Sequence, residues 1–202
     1  MKASAHPAAG WPRVCVPLAL TGLRAALAPV MVLLALRYPY GIAFGACLIV
    51  AFLSDVFDGI IARRLGVATA GLRRLDSIVD TLFYLGALFA AWHLQRAALL
   101  EHLDALLLLA ALEVARYLFD LAKFRREASY HMWSAKLWGM FLFLGFFWLL
   151  AVGETGLPVT LGIWLGIVSD VEGLAISLVL RRWQNDVPTF LHALKLRQAQ
   201  IG

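Results

Sequence analysis

The sequence has few charged residues and almost no cysteine. Asp, Glu, Lys and Arg make up 15% of the 202 residues and hydrophobic residues make up 62%, whereas a typical soluble domain is about 25% charged and about 45–50% apolar. This shortage of charge excludes an ordinary soluble globule and an intrinsically disordered chain. The two cysteines, Cys15 and Cys47, lie in apolar runs, which excludes a disulfide scaffold and a cysteine-ligated metal cluster. Linker-like stretches rich in Ser, Pro or Gly are also absent, so we expect one membrane domain over residues 1–202.

Long apolar runs dominate the chain instead. A bilayer core of about 30 Å needs roughly 20 apolar residues for each helical crossing. The first run is too long for the apolar region of a signal peptide and contains Arg24, so we expect a retained helix there. The sequence therefore predicts an all-α integral membrane bundle of about six transmembrane helices, at residues 16–36, 40–62, 75–94, 99–124, 132–152 and 159–180.

Basic residues cluster on alternate connections between these predicted helices. Lys and Arg close to helix ends favour the cytoplasmic side of a membrane. The remaining connections carry mainly Arg37 and Arg96, together with the acidic Glu101 and Glu154. We therefore expect a multi-pass protein of the cell (inner) membrane with both termini cytoplasmic. The net charge of +5 reflects these connections, and no nucleic-acid partner is expected. The residues that predict the cytoplasmic side are Lys2, Arg13, Arg63, Arg64, Arg73, Arg74, Lys123, Arg125, Arg126, Arg181, Arg182, Lys195 and Arg197.

The segment after the sixth predicted helix allows two interpretations. Residues 187–198 alternate apolar residues with His192, Lys195 and Arg197, after a helix start expected at Asp186 and Pro188. This pattern predicts either a short amphipathic helix on the anionic cytoplasmic leaflet or a polar tail without regular structure.

Four carboxylates stand at the ends of the second and third predicted helices. Asp55 and Asp58 are three residues apart, and Asp76 and Asp80 are four apart, so each pair shares one helix face. If the two helices pack side by side, as their short connection favours, all four carboxylates meet in one pocket. Carboxylates gathered near a bilayer need cations, and oxygen ligands without nearby His or Cys favour two Mg²⁺ or Mn²⁺ ions over zinc. Such an arrangement is typical of a two-metal phosphoryl-transfer site.

Small residues and an arginine follow the first pair of aspartates. Gly59 and Ala62 remove side-chain bulk on the same helix, so that a phosphorylated ligand can approach the backbone. Arg63 can pair with a phosphate there. A single Asp at a helix end is usually a cap or a solvated charge. Ionisable residues in membrane segments, however, are functional by default because their burial is unfavourable, and this favours a functional site.

This stretch resembles the signature of the CDP-alcohol phosphatidyltransferase family. The signature reads D-x-x-D-G-x-x-A-R, then a spacer with glycine, then D-x-x-x-D, and residues 55–80 match its Asp, Gly, Ala and Arg positions. The spacer glycine is Gly71, one position earlier than usual. In the first predicted helix Thr21, Arg24 and Pro29 are similar to the family's T-x-x-R…P pattern, although Leu18 stands where many members carry Asn.

The resemblance implies roles for the residues of this motif. Asp55, Asp58 and Asp76 would bind the metal ions, and Asp80 would contact a metal and act as general base on the acceptor hydroxyl. The resemblance also implies homodimerisation. The cytidine diphosphate would lie against five residues: Asp58, Gly59, Ala62, Arg63 and Gly71.

The implied reaction transfers a phosphatidyl group, a substituted phosphate, from a CDP-alcohol to a small polar alcohol and releases CMP, as a step in phospholipid biosynthesis among membrane lipids. The compact length of the chain is similar to that of family members that use CDP-diacylglycerol, which is therefore the favoured donor. One alternative is a CDP-choline or CDP-ethanolamine donor with a lipid acceptor. A second, from another class, is a small cation transporter, which leaves Gly59, Ala62 and Arg63 unexplained and requires charges near the membrane midplane.

Further charged residues lie on the last three predicted helices. Arg116 shares one face with Glu113 and Asp120, which form with it either a wall of the acceptor pocket or an ion network that fixes helix packing. Lys136 is a second candidate for acceptor binding, and its alternative role is that of a lysine that extends to the membrane surface. Acids inside the sixth predicted helix are expected to pair with a basic residue of the bundle; the candidates are Asp170 and Glu172.

Overall fold

The computed structural model describes residues 11–67, 69–126 and 130–199. These residues contain no strand, and their helices confirm the all-α prediction. Lys2, which contributed to the predicted orientation, lies outside them. The described residues form eight α-helices: α1 (Trp11–Arg37), α2 (Gly41–Arg64), α3 (Ala70–Leu94), α4 (Arg96–Glu101), α5 (Leu103–Phe124), α6 (Trp133–Phe147), α7 (Leu157–Val179) and α8 (Phe190–Ala199). A π-helical turn, Trp148–Val152, continues α6.

Five helical segments of the described chain are long and apolar enough to cross a membrane: Cys15–Arg37, Gly41–Arg64, Gly71–Leu94, Trp133–Val152 and Leu157–Val179. The prediction of one continuous helix over residues 99–124 is wrong, because α4 ends at Glu101 and α5 begins at Leu103. The helix α5 is not among the five because it carries too many charged residues, among them Glu113, Arg116 and Asp120.

The described chain divides into two compact units. One comprises Met1–Arg96 with Leu150–Gly153, as far as these residues are described, and the other comprises Ala97–Leu149 with Glu154–Gly202. The expectation of a single membrane domain over residues 1–202 stays a prediction.

In the first unit, α1 packs against both α2 and α3. Buried residues three or seven positions apart, such as Thr21, Arg24 and Met31, form the packed face of α1. The contact with α3 is close at Gly86, where a Cβ would lie 2.9 Å from the carbonyl oxygen of Ala28. The expectation that the second and third helices simply pack side by side is therefore wrong, since the close helix pairs in the described part of this unit both involve α1.

In the second unit, α7 is the helix that contacts α5, α6 and α8. Small residues on α7 and α6 allow this packing, as is common for membrane helices. A Cβ at Gly162 would lie 3.0 Å from the carbonyl oxygen of Phe141, and one at Gly145 would lie 3.3 Å from that of Pro158. Side chains larger than hydrogen at these two positions would push the helices apart.

The chain after α7 ends in a packed helix, so the polar-tail interpretation is wrong for Phe190–Ala199. The helix begins later than expected, because Asp186 has a left-handed φ of 56° and the Thr189 hydroxyl accepts a hydrogen bond from His192 N (3.3 Å). Ala193 of α8 is fully buried in an apolar cluster. Contact of α8 with a lipid leaflet stays a prediction. The buried members of the cluster are Tyr130, Met132, Ile176, Leu180, Val187 and Ala193.

Candidate functional site

The four aspartates of the motif surround one arginine, Arg24 of α1. Its Nη1 atom lies 3.1 Å from Asp55 Oδ1 and also contacts Asp80 Oδ1. Its Nη2 atom lies 3.1 Å from Asp76 Oδ1 and also contacts Asp58 Oδ2. The prediction that the four carboxylates converge is therefore confirmed, although the side chain at their centre belongs to a third helix.

The ends of α2 and α3 bring the two carboxylate pairs to this arginine. Asp55 and Asp58 lie in the last three turns of α2. The chain turns at Leu65 and Gly66, and Thr69 caps α3 by accepting a hydrogen bond from Leu72 N (3.2 Å). Because α3 begins at Ala70, five residues before the predicted start, Asp76 and Asp80 both lie within regular helix and share one face.

A serine of α2 also contacts the arginine. Arg24 Nε donates to Ser54 Oγ (3.4 Å), and Ser54 Oγ donates to the carbonyl oxygen of Ala51 (2.7 Å). The side chain of Arg24 is only 2% exposed. All its guanidinium nitrogens therefore contact oxygens of α2 or α3, and its orientation is defined by both helices.

Three of the carboxylates could hold a metal ion together. Asp55, Asp76 and Asp80 each offer an oxygen, and these atoms lie within 4.8 Å of one another. Asp76 Oδ1 is buried and is paired with Arg24 Nη2 (3.1 Å). Four carboxylates against one guanidinium leave three negative charges. Hard oxygen donors with excess negative charge fit Mg²⁺ or Mn²⁺.

The residues predicted to line the nucleotide site lie on the same two helices. A Cβ at Gly59 would lie 3.3 Å from Arg63 Nη1, so the absence of a side chain at Gly59 leaves room for that guanidinium. Ala62 is buried, whereas Arg63 and Gly71 are exposed. The guanidinium of Arg63 thus lies beside Gly59, and the roles of both residues in nucleotide binding stay predictions.

Arg24 is the site residue to which sequence reasoning assigned no role. Two signals were available, namely a charged residue inside a long apolar run and the T-x-x-R pattern formed with Thr21. Neither signal identifies its partners, because helical spacing does not define which neighbouring helix a buried face meets.

The second unit contains the charged residues expected on the later helices. Arg116 Nε lies 3.1 Å from Asp170 Oδ1, which confirms that an acid of the sixth predicted helix pairs with a basic residue. Gly173 makes room for this arginine, because a Cβ there would lie 2.9 Å from Arg116 Cδ. Glu172 instead accepts a hydrogen bond from Phe190 N (3.1 Å) at the start of α8. This ion pair supports the interpretation of Arg116 as part of an ion network.

Lys136, the other candidate for acceptor binding, is exposed near the start of α6. Its Nζ atom lies 4.3 Å from the centre of the Trp133 ring, at the distance of a cation–π contact. This position agrees with a lysine that extends to the membrane surface. A role for Lys136 in acceptor binding stays a prediction.

Comparison with protein families gives a match over most of the chain. The family model described as CDP-alcohol phosphatidyltransferase matches residues 14–173. The matched region is most of the chain, and it includes Arg24 and all four aspartates. Comparisons with curated proteins and with solved structures gave no significant match.

Proposed function

The chain belongs to the CDP-alcohol phosphatidyltransferase family, and we propose that it transfers the phosphatidyl group of CDP-diacylglycerol to a small polar alcohol. The family consists of phosphotransferases that use CDP-alcohol donors and alcohol acceptors. The observation that carries the proposal is the convergence of four carboxylates from α2 and α3 on one point. A cluster of this kind suits the binding of a pyrophosphate through divalent cations.

The acidic cluster would hold two Mg²⁺ or Mn²⁺ ions through its four aspartates. When bound, such ions neutralise the pyrophosphate oxygens and the negative charge that develops on them during transfer. The chain contributes the geometry, since the ligands sit on regular helix and not on loops. Arg63, exposed beside Gly59, is placed to pair with a phosphate of the nucleotide, and the small side chain of the buried Ala62 adds little bulk below them.

We assign the role of general base to Asp80, the last aspartate of the motif. Its side chain is 31% exposed, so that an acceptor hydroxyl can reach it, as are those of Asp55 (46%) and Asp76 (29%), whereas the side chain of Asp58 is 6% exposed. The acceptor oxygen attacks the phosphorus that carries the diacylglycerol group. The bond from that phosphorus to the oxygen shared with CMP breaks, the hydroxyl proton passes to the Asp80 carboxylate, and CMP leaves with the electron pair.

The arrangement of basic residues supports an active site at the cytoplasmic side of the membrane. Asp55 and Asp58 lie close to Arg63 and Arg64 at the end of α2, and basic residues mark the cytoplasmic ends of membrane helices. Arg116 and Lys136 are the candidates for contact with the acceptor. A homodimer of this chain is part of the same proposal.

The proposal is tested by measuring CMP release from the purified full chain in detergent with Mg²⁺. CDP-diacylglycerol is offered with glycerol 3-phosphate, serine, inositol, inositol phosphate or water, and CDP-choline is offered with diacylglycerol as the contrasting pair. We expect CMP from CDP-diacylglycerol with one of the alcohols, which also identifies the acceptor. If CMP is released only with CDP-choline and diacylglycerol, the lipid is the acceptor and the soluble CDP-alcohol is the donor. Folded protein that releases no CMP with any pair would contradict the proposal.

A further inference from the structure

Arg24 occupies the position where the four aspartates meet, and the proposed function assigns it no part. We propose that Arg24 is a positioning residue that serves as a built-in counter-cation. It holds the four carboxylates in place before divalent cations bind, and its charge sets the cation concentration at which the site fills. The inference rests on the proposed function, since it concerns the same carboxylates.

The contacts of the guanidinium follow a regular pattern. Each terminal nitrogen contacts one carboxylate of α2 and one of α3. Nη1 contacts Asp55 and Asp80, and Nη2 contacts Asp58 and Asp76. A planar fork can bridge two helices in this way, whereas the single nitrogen of a lysine cannot span both pairs. Arg24 therefore couples the ends of α2 and α3 through a side chain of α1.

Because they are buried, the Arg24 guanidinium and the Asp58 carboxylate each need a partner of opposite charge. The side chain of Arg24 is 2% exposed and that of Asp58 is 6% exposed. A buried cation without a carboxylate is strongly unfavourable, and so are several buried carboxylates without a cation. Among the described residues, the guanidinium of Arg24 is the cation that contacts all four carboxylates.

The same oxygens serve Arg24 and the candidate metal site. Asp55, Asp76 and Asp80 form the group whose oxygens could ligate an ion, and all three contact the guanidinium. A divalent cation that enters this group meets the fixed positive charge of the buried Arg24 side chain at contact distance, and like charges at that separation repel. Arg24 thus stabilises the empty site and weakens the binding of the first ion.

The test compares variants of the detergent-purified full chain by thermal unfolding in EDTA and across a Mg²⁺ titration, with Mn²⁺ binding followed by electron paramagnetic resonance. Arg24→Gln removes the charge, Arg24→Lys keeps it without the fork, and Ser54→Ala removes the contact to Nε alone. For Arg24→Gln we expect a lower unfolding midpoint in EDTA and a half-saturating Mg²⁺ concentration about tenfold lower than wild type. For Ser54→Ala we expect both quantities to stay near wild type.

The outcomes separate this inference from a merely structural role. If Arg24→Gln is destabilised equally in EDTA and in saturating Mg²⁺, with an unchanged half-saturating concentration, the inference is overturned. If Arg24→Gln does not fold, the inference is tested with Arg24→Lys instead. We expect Arg24→Lys to lose stability in EDTA and regain it in Mg²⁺, and an equal loss in both conditions overturns the inference.

The wild-type titration separates this inference from the proposed function. A wild-type chain that responds to neither Mg²⁺ nor Mn²⁺ overturns the metal part of the proposed function together with the inference. A wild-type response that Asp76→Asn abolishes, combined with an unchanged half-saturating concentration in Arg24→Gln, overturns the inference alone.

Discussion

Asp170 is a carboxylate that almost no solvent reaches, and Arg116 supplies the positive charge beside it. The side chain of Asp170 is 1% exposed and that of Arg116 is 23% exposed. A buried ion pair contributes little net stability, but loss of one partner leaves the other charge buried without compensation. The two residues therefore have to be considered together.

Arg116→Met is expected to destabilise the protein by roughly 3–5 kcal/mol, because it leaves the Asp170 carboxylate without a cation. The double variant Arg116→Met with Asp170→Val removes both charges and is expected to regain most of that stability. Thermal unfolding in detergent measures both effects. The KM for the acceptor in the double variant gives a second readout. A stable double variant with a strongly raised KM would show that Arg116 binds the acceptor and would contradict a purely structural pair.

At the scale of single residues, the motif made most of the acidic cluster predictable. Spacings of three and four place carboxylates on one helix face regardless of the rest of the fold, so the pairing of Asp55 with Asp58 and of Asp76 with Asp80 followed from the sequence. The meeting of the two pairs was predicted from direct packing of their helices, whereas α1 packs against both of them. Arg24 did not follow, because its contacts depend on the rotation of α1 against two other helices. The sequence predicted that a buried acid near residue 170 needs a basic partner, but it did not identify Arg116 as that partner.

At the scale of helices, the close approach of α1 and α3 positions Arg24. Gly86 permits this approach, since a Cβ there would lie 2.9 Å from the backbone oxygen of Ala28. A backbone atom cannot move aside as a flexible side chain can. Any side chain at residue 86 must therefore push the two helices apart.

Gly86→Val is expected to lower stability by about 1–3 kcal/mol through overpacking. It should also lower the half-saturating Mg²⁺ concentration, because it moves Arg24 of α1 away from Asp76 and Asp80 and so weakens the repulsion that the first ion meets. Gly139→Ala is the matched control, since a Cβ there would meet no described atom within 4 Å. Thermal unfolding with and without Mg²⁺ measures both effects. Equal behaviour of the two variants would contradict a positioning role for the contact between α1 and α3.

Hydropathy predicted most of the helices but not all of their boundaries. Five predicted spans correspond to described helices, because a long apolar run has few alternatives in a membrane. The start of α3 was placed too late, since Arg73 and Arg74 in its first turns are polar although they are helical. The break between α4 and α5 was missed because leucine-rich runs flank the short polar stretch around His102.

At the scale of the whole molecule, the distribution of basic residues predicts which side of the membrane carries the aspartates. The prediction is tested with single cysteines in a chain whose Cys15 and Cys47 are replaced by serine. Arg73→Cys and Glu154→Cys both alter exposed positions. In sealed inside-out vesicles, a membrane-impermeant maleimide should label the cysteine at residue 73 and leave the one at residue 154 unlabelled. The reverse pattern would contradict the orientation.

Family membership and the acidic cluster both indicate phosphoryl transfer, and the Asp80→Asn variant tests this activity most directly. The matched control is Asp104→Asn, which alters an exposed aspartate in the first turn of α5. Acceptor-dependent CMP release from CDP-diacylglycerol with Mg²⁺ is the measurement, with CDP binding and thermal unfolding recorded on the same samples.

We expect Asp80→Asn to fold and bind CDP while its CMP release falls by a factor of about 10²–10⁴, the usual contribution of a general base. The Asp104→Asn control should match wild type in all three measurements. CMP release that persists at the wild-type rate in Asp80→Asn would contradict the assignment of Asp80 as the base that accepts the acceptor's proton.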